Sequence, residues 1–159
     1  MIDLKIAAGI PAFNEEKNVG SMIVELLKFV DIVIVCNDGS NDNTGMIAKK
    51  MGAIVVNHER NLGYGAGIKS LFLKARELGV DVLVTLDADG QHRPEDVLIV
   101  LEPIKKHETD IVIGSRFLDQ NQQQIPSYRR AGIKIITKLA NTTLDKTVKI
   151  GRASCRERV

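Results

Sequence analysis

The sequence has no tryptophan, few other aromatic residues and only two cysteines, and each shortage excludes a class of protein. Aromatic residues make up 4% of the 159 residues, which leaves few rings for stacking on nucleic-acid bases. Cys36 lies in an apolar run and is typical of a small buried hydrophobe, so with Cys155 it indicates neither a disulfide framework nor a zinc site. The net charge of only +2 predicts no DNA or RNA partner.

Targeting signals and long apolar runs are also missing from the sequence. Residues 1–10 lack the basic region and the apolar stretch of a signal peptide. No apolar run approaches the roughly 20 residues needed to cross a bilayer. We therefore expect a cytoplasmic protein, and a chain of 159 residues suits one domain with its own core.

The last ten residues differ from everything before them. Residues 150–159 read IGRASCRERV, with three arginines and no periodic apolar residues. They resemble the amino-acid sequence obtained by translating a common sequencing adapter, and every codon of that adapter matches. A basic C-terminal tail would have a similar composition. We interpret 150–159 as a non-native tail. We expect residues 1–149 to be the first part of a natural domain that continues past Lys149.

Residues 1–149 alternate short apolar runs with longer amphipathic ones. This alternation predicts an α/β fold, an open and mostly parallel sheet with flanking helices. The predicted strands are 4–9, 31–36, 53–57, 81–86 and 110–114. The predicted helices are 17–29, 44–51, 66–78, 94–106 and 128–144.

Polar segments follow four of the predicted strands at their carboxyl ends. They are 11–16, 37–42, 87–91 and 115–116. In open α/β sheets the carboxyl ends of parallel strands meet at one edge, where ligands bind. The sequence therefore predicts a functional site at this edge.

Asp87 and Asp89 flank a single residue directly after a buried run. Two carboxylates this close repel each other unless a cation or proton lies between them. Hard oxygen ligands suit Mg²⁺ or Mn²⁺, and the carbonyl oxygen of Gln91 would add a third. A solvated turn explains the same pattern equally well.

The segment 37–40 and the glycine-rich segment 61–67 each have two interpretations. Residues 37–40 either close a turn through Asx-type hydrogen bonds, or Asp38 among them accepts a hydrogen bond from the N–H edge of a uracil or guanine base. The segment 61–67 does not have the spacing of a dinucleotide or P-loop fingerprint. Its glycines still permit close approach of the backbone to a nucleotide, or of a helix to the sheet.

The arginines and histidines give weaker indications of function. Arg116, Arg129 and Arg130 suit phosphate recognition, although solvated surface arginines are as common. The histidines share no metal-ligand spacing, and we expect all three at the surface: His58, His92 and His107.

Taken in order, these segments resemble the family 2 glycosyltransferases with a GT-A fold, a Rossmann-like fold of nucleotide-diphospho-sugar transferases. The polyprenyl-phosphate (dolichyl-phosphate) mannose or glucose synthase branch is most similar. The matching stretches are IPAFNEEKNVG from Ile10, VCNDGSNDNT from Val35, NLGYGAGIKSLF from Asn61, TLDADGQHRPED from Thr85, DIVIGSRF from Asp110 and IPSYRRAGIKIITKLANTTL from Ile125.

The resemblance implies roles for individual residues. The nucleotide-sugar pocket would be formed by Pro11, Ala12, Phe13, Glu15, Asp38, Asp87 and Ala88. Mg²⁺ or Mn²⁺ would be held by Asp87, Asp89 and Gln91, with Asp89 also serving as the catalytic residue. Arg116 and Arg130 would bind the phosphate of a lipid acceptor.

Three departures from the family pattern are visible. Phe13 stands where tyrosine is common, and Asn37 replaces the first Asp of the usual DDGS. A later motif, Asp followed by Ser-Gly-Phe-Arg, should begin close to residue 150, where the adapter-like segment starts. The fold would then be incomplete at its C-terminus and the general-base Asp missing.

The resulting hypothesis is inverting, metal-assisted transfer of a sugar from GDP-mannose or a UDP-sugar to an acceptor, expected to be a polyprenyl phosphate. Residues 1–149 would be the nucleotide-sugar-binding part of that enzyme. The alternatives are a sugar-1-phosphate nucleotidyltransferase and a binding-only, inactive fragment. Helix 128–144 carries an apolar stripe that suits either core packing or contact with the inner face of the cell membrane.

Overall fold

A computed structural model describes residues 4–90, 93–114 and 154–158 of the chain. The elements in chain order are β1 (Ile6–Ala12), α1 (Val19–Leu26), β2 (Ile32–Asp38), α2 (Thr44–Lys50), β3 (Ile54–His58), α3 (Tyr64–Glu77), β4 (Val82–Thr85), α4 (Asp96–Lys105), β5 (Ile111–Gly114) and β6 (Ser154–Arg158). No helix within these ranges is long and apolar enough to cross a membrane.

The strands form one open sheet in the order β3-β2-β1-β4-β6-β5. β1 lies between β2 and β4 and runs parallel to both, and β2 runs parallel to β3. The predicted open and mostly parallel α/β sheet is therefore confirmed. Parallel neighbours require crossover connections, and α1, α2 and α3 lie in those connections.

β6 lies within the ten residues that the sequence analysis excludes from the fold. It pairs antiparallel with β4, and Val82 lies opposite Arg158. Ladder hydrogen bonds join backbone groups and do not depend on which side chains are present. The pairing therefore does not test the origin of the segment, which stays a prediction.

Contacts divide the chain into two compact units, residues 1–113 with 155–159 and residues 114–154. The second unit lies almost wholly outside the described residues, and so does the predicted helix 128–144. The description of one domain over residues 1–149 stays a prediction for the same reason.

β1 and β2 continue further than their apolar runs predict. Pairing of Pro11 with Cys36 and of Ala12 with Asn37 carries both strands past the expected ends at residues 9 and 36. Strand pairing uses backbone groups, so it does not stop where the apolar residues stop. The first polar residues of the site consequently stand on strands and not on loops.

The core packs on both faces of the sheet. On one face, residues of β1, β2 and β4 contact α1, α2 and α4. On the other face, Ala7, Ile34 and Leu83 contact Leu71 and Ala75 of α3. The strands are buried on both sides, which explains their continuous apolar composition.

Leu71 provides a test of this packing. Leu71 is 0% exposed, whereas Leu73, two residues further along α3, is 48% exposed. We expect Leu71→Ala to lower the free energy of unfolding by about 2–5 kcal/mol, because it leaves a cavity against the sheet. Leu73→Ala should change it by less than about 1 kcal/mol, and urea denaturation of both variants measures the difference. Equal effects of the two substitutions would contradict the placement of α3.

Candidate functional site

Four strands end at the same edge of the sheet, which we call the carboxyl edge, and polar residues lie at or after their ends. Ala12 of β1 pairs with Asn37 of β2, and Asp38, the last residue of β2, pairs with His58, the last of β3. On the other side of β1, Gly9 pairs with Thr85, which ends β4. The polar segments predicted after β1, β2 and β4 thus share one edge, while residues 115–116 lie outside the described residues.

A pocket of about 160 Å³ opens at this edge. Four of the residues predicted to form a nucleotide pocket line it, namely Pro11, Ala12, Phe13 and Asp38. The other lining residues come from the glycine-rich segment and the start of α3, namely Asn61, Gly63, Tyr64 and Gly67. The glycine-rich segment therefore belongs to the same pocket as the polar strand ends.

Glycines allow α3 to begin at the pocket. Gly63 is the N-cap of α3 and has φ +90°, a conformation that side-chain-bearing residues rarely adopt. A Cβ on Gly67 would lie 3.4 Å from Cβ of Pro11, so the first turn of the helix packs directly on β1. A helix N-terminus favours negatively charged groups such as phosphate.

Two partly exposed aromatic rings contribute to the same pocket. Phe13 is 43% exposed and Tyr64 is 61% exposed, and both line the pocket. Exposed rings provide flat surfaces on which a planar base can stack. The pocket therefore combines stacking surfaces, a carboxylate and a helix N-terminus.

Asp38 is the buried acidic residue of the pocket, with a side chain that is 8% exposed. Its Oδ1 accepts hydrogen bonds from the backbone N–H of Leu62 at 2.9 Å and lies 2.6 Å from Nδ1 of His58. Its Oδ2 accepts from the backbone N–H of Gly63 at 2.9 Å. Burial by itself raises the pKa of Asp38, but the hydrogen bonds from Leu62, His58 and Gly63 outweigh it, so the pKa lies below its usual value.

The turn after β2 has an Asx-type hydrogen bond, in which the N–H of Ser40 donates to Oδ1 of Asn37 at 3.4 Å. The Asp38 carboxylate instead accepts from the backbone N–H groups of Leu62 and Gly63. A carboxylate offers about four acceptor positions, and the protein occupies three. Among the described residues, Oδ2 has a single hydrogen-bond donor, the N–H of Gly63, so one of its acceptor positions is open.

The prediction that His58 lies at the surface is wrong. Its side chain is 10% exposed, and Nε2 lies 2.8 Å from Oγ of Ser70 and 3.6 Å from Sγ of Cys36. The alternation of β3 could have revealed this placement, because Val56, two residues earlier, packs against the α3 side of the sheet. His107 is exposed as expected, and His92 lies outside the described residues.

Cys36 is buried, as the sequence predicts. Burial, together with the nearby Asp38 carboxylate, raises the pKa of its thiol to about 11. The thiol is therefore protonated at neutral pH, and a protonated thiol is a poor nucleophile.

Hydrogen bonds tie the loop after β1 to the loop after β2. The N–H of Asn14 donates to Oγ of Ser40 at 3.0 Å, and Oδ1 of Asn14 accepts from the N–H of Asn41 at 2.9 Å. Further along, the N–H of Glu16 donates to Asp42 at 3.1 Å, and a Glu16 carboxylate oxygen accepts from the N–H of Asn43 at 3.1 Å. The two loops therefore hold each other in place beside the pocket.

Glu15 takes part in the hydrogen bonds between these two segments and does not line the pocket. Its N–H donates to Oγ1 of Thr44 at 2.8 Å, and its side chain accepts from Nδ2 of Asn18 at 3.1 Å. Asp42 accepts from the N–H of Thr44, the first residue of α2, at 2.9 Å. Asp42 thus satisfies a backbone donor at the start of α2, while the Thr44 hydroxyl accepts from the neighbouring loop.

Asn37, which departs from the family pattern, is paired with a second asparagine. Its Nδ2 donates to Oδ1 of Asn57 at 2.9 Å across neighbouring strands. An aspartate at position 37 would have no donor for this bond. The departure therefore fits the residue that faces it on β3.

Asp87 and Asp89 are half-buried residues that follow β4. The N–H of Leu86 donates to the carbonyl oxygen of Gly9 at 3.0 Å, which keeps this segment beside β1. Ala88 between them is 2% exposed and packs in the core. Gln91, the third predicted metal ligand, lies outside the described residues, as do Arg116 and Arg130.

The donor set at Asp87 and Asp89 limits what could bind there. Neither residue lines the pocket at Asp38. Within residues 4–90 and 93–114, no three His, Cys, Asp or Glu residues form a group that could hold a metal. Mg²⁺ beside phosphates is commonly bound by one or two carboxylates, with its other oxygens from water and the phosphates, and two carboxylates are compatible with such a site.

Comparison with known proteins identifies the sequence family and similar structures. Residues 8–156 match the family described as Glycosyl transferase family 2. The UDP-N-acetylglucosamine–dolichyl-phosphate N-acetylglucosaminyltransferase of Methanococcus voltae is 34% identical over 151 residues, which covers 83% of this chain and 60% of that protein. The polyprenol monophosphomannose synthase of Mycolicibacterium smegmatis is 30% identical over 141 residues, or 84% and 52% of the two chains.

A solved structure is also similar. Glucosyl-3-phosphoglycerate synthase from Mycobacterium tuberculosis, in complex with Mn²⁺, UDP and glucosyl-3-phosphoglycerate, superposes with a TM-score of 0.58. The match has 25% sequence identity and covers 69% of this chain and 43% of that one. The chain spans about half to three fifths of the length of the first curated relatives it matches.

Substitution of Gly39 tests how closely the turn after β2 approaches the backbone of residues 60–61. Gly39 has φ +69°, and a Cβ there would lie 2.3 Å from the carbonyl carbon of Arg60. Gly52 also has a positive φ, +89°, but nothing lies within 4 Å of its Cβ position. We expect Gly52→Ala to reduce the free energy of unfolding by about 1–2 kcal/mol through backbone strain alone. Gly39→Ala should reduce it distinctly more, because the backbone of residues 60–61 must also move. Chemical denaturation of both variants measures the difference, and equal losses would contradict the close approach.

The low pKa of Asp38 predicts a pH-dependent contribution to stability. A carboxyl whose pKa is lower in the folded state stabilises the fold above its ordinary pKa of 3.8, and this contribution is lost as the pH falls below that value. We expect Asp38→Asn to lower the free energy of unfolding by about 1–3 kcal/mol at pH 7, because part-buried donors lose a charged acceptor. The difference from the unmodified protein should shrink as the pH falls below about 4. Denaturation curves from pH 3 to pH 7 test this, with exposed Glu59→Gln as the control. A difference that is constant across the range would contradict it.

Proposed function

This chain belongs to glycosyl transferase family 2, and we propose that it binds a nucleoside diphosphate sugar and transfers the sugar to a polyprenyl phosphate with inversion at the anomeric carbon. The observation that carries the proposal is the pocket at the carboxyl edge, where Asp38 meets two aromatic side chains and the start of α3. Relatives named for dolichyl-phosphate and polyprenol sugar transfer support the acceptor class.

The nucleotide base would occupy the pocket lined by Phe13, Asp38 and Tyr64. An ionised carboxylate only accepts hydrogen bonds, so its partner must be an N–H donor. Uracil and guanine both carry a ring N–H next to a carbonyl group, and either fits this requirement. The aromatic side chains supply stacking that does not distinguish the bases.

The diphosphate would extend from the pocket towards Asp87 and Asp89. The similar solved structure of glucosyl-3-phosphoglycerate synthase contains Mn²⁺ together with UDP, which supports a divalent cation in this chain as well. Two carboxylates that follow neighbouring β4 suit Mg²⁺ or Mn²⁺ shared with phosphate oxygens, and Gln91 would complete the set. When bound, such a cation neutralises charge that develops on the leaving diphosphate. Asp87 and Asp89 would hold and orient it.

The acceptor proposal explains how transfer proceeds on a chain without an identified general base. A lipid phosphate is already an anion, so its oxygen attacks the anomeric carbon without first losing a proton. Arg116 and Arg130 would bind that phosphate through their planar donor groups. Because a polyprenyl phosphate is anchored in a membrane, the reaction would occur with the protein at the membrane surface.

The family match weighs against a sugar-1-phosphate nucleotidyltransferase. Enzymes of that kind carry a glycine-rich, arginine-containing loop near the N-terminus, whereas residues 10–16 read IPAFNEE. A fragment that binds nucleotide without transferring sugar differs from the proposal in one measurable outcome. It would bind nucleotide in a metal-dependent way and show no turnover with polyprenyl phosphate.

Replacement of the two aspartates tests the cation site. We expect Asp89→Asn and Asp87→Asn each to weaken Mn²⁺-dependent binding of UDP or GDP at least about tenfold, because a neutral amide holds a divalent cation poorly. Binding is measured by thermal shift and by calorimetric titration with and without Mn²⁺. Asp110→Asn removes an exposed aspartate that precedes a strand and serves as the control. The proposal fails if the unmodified chain binds neither nucleotide, or if binding never depends on the metal.

A further inference from the structure

His58 connects three elements behind the pocket. It ends β3, its Nδ1 lies 2.6 Å from Oδ1 of Asp38 at the end of β2, and its Nε2 lies 2.8 Å from Oγ of Ser70 on α3. The ring is only 10% exposed. A polar ring buried to this degree and bonded at both nitrogens has a defined orientation.

The chemistry of the partners determines which nitrogen of His58 carries a proton. The pKa of Asp38 lies below its usual value, so the carboxylate is ionised at neutral pH and can only accept. The 2.6 Å contact therefore requires a proton on Nδ1 of His58. The hydroxyl of Ser70 can donate to Nε2 or accept from it, and satisfies that nitrogen in either state.

An Asp-His-Ser chain with these contacts also occurs in acyl-transfer enzymes, but the surroundings here do not support that chemistry. Ser70 lies in the middle of α3, which runs from Tyr64 to Glu77. Backbone N–H groups in a helix interior already donate to carbonyl groups of the preceding turn, so they cannot form an oxyanion hole. The arrangement is better suited to fixing the carboxylate than to activating the serine.

We propose that His58 is a positioning residue for nucleotide binding. It donates from Nδ1 to Oδ1 of Asp38, and Ser70 holds the ring in the orientation that makes this possible. With Oδ1 occupied by His58 and Leu62, the carboxylate keeps its open acceptor position on Oδ2 for the N–H of the base. This inference rests on the proposed nucleotide-binding function.

Two substitutions of His58, with side chains of different length, remove one of its two hydrogen bonds at a time. In His58→Asn the amide nitrogen takes roughly the place of Nδ1, so the bond to Asp38 is kept while the contact with Ser70 is lost. In His58→Gln the amide nitrogen takes roughly the place of Nε2, so the reverse holds. Ser70→Ala removes the outer partner and leaves the histidine in place.

Nucleotide affinity of these variants tests the proposal. The dissociation constants of UDP and GDP are measured by calorimetric titration in Mn²⁺, on protein whose folding is checked by circular dichroism. We expect His58→Gln to raise the dissociation constant about tenfold, whereas His58→Asn should keep most of the affinity of the unmodified protein. Ser70→Ala should have an intermediate effect. The controls are His107→Asn, at an exposed position with φ 56° where asparagine is well tolerated, and Ser21→Ala on the exposed face of α1.

A spectroscopic measurement tests the same bond without a ligand. In ¹⁵N-labelled protein at neutral pH, the Nδ1–H proton of His58 should give a slowly exchanging, downfield resonance that Asp38→Asn shifts or removes. A purely structural role predicts equal affinities for all folded variants, and that result would overturn the inference while leaving the proposed function intact. Absence of the Nδ1–H resonance would also overturn it. If the unmodified chain binds neither nucleotide, the proposed function fails first and this inference fails with it.

Discussion

The carboxylate of Asp38 is the interaction on which the assembly of the pocket depends. A buried carboxylate is tolerated only when hydrogen-bond donors replace the water that it loses. Here the donors come from the segment Leu62–Gly63 and from His58 at the end of β3. The same bonds that stabilise the charge therefore bring the glycine-rich segment against the sheet. The pocket therefore has its observed lining only when this segment lies against the sheet.

Much of the fold could be predicted from the sequence because it depends on apolar pattern. Continuous apolar runs such as 31–36 and 81–86 identify strands that are buried on both faces, and their alternation with helices indicates parallel pairing. Placement of Pro11, Ala12, Phe13 and Asp38 in one pocket follows from the rule that parallel strands end at one edge. These features need no knowledge of individual contacts. The resemblance to family 2 glycosyltransferases, which the family match confirms, pointed to the same residues.

The parts that could not be predicted depend on single contacts between distant segments. His58 was expected at the surface because the three histidines share no metal-ligand spacing. The alternation of β3 indicates its burial, but nothing in the sequence identifies its partners Asp38 and Ser70, which are 20 and 12 residues away. Glu15 was expected in the pocket, whereas its backbone and side chain hold the loop that precedes α1. Strand ends were misjudged by two or three residues because backbone pairing continues into polar sequence. Sequence patterns report burial well and specific hydrogen bonds poorly.

The hydrogen bonds between the loops after β1 and β2 have a consequence for protein engineering. Each loop supplies backbone donors that side chains of the other loop accept. Asn14 and Glu16 donate to the loop after β2, and their own side chains accept from N–H groups of that loop. A graft of residues 13–18 from a homologue, without the matching 40–44, would exchange these hydrogen bonds for bonds to water and loosen both loops. Chimeras built to exchange nucleotide preference within this family should therefore transplant the two loops as a matched pair.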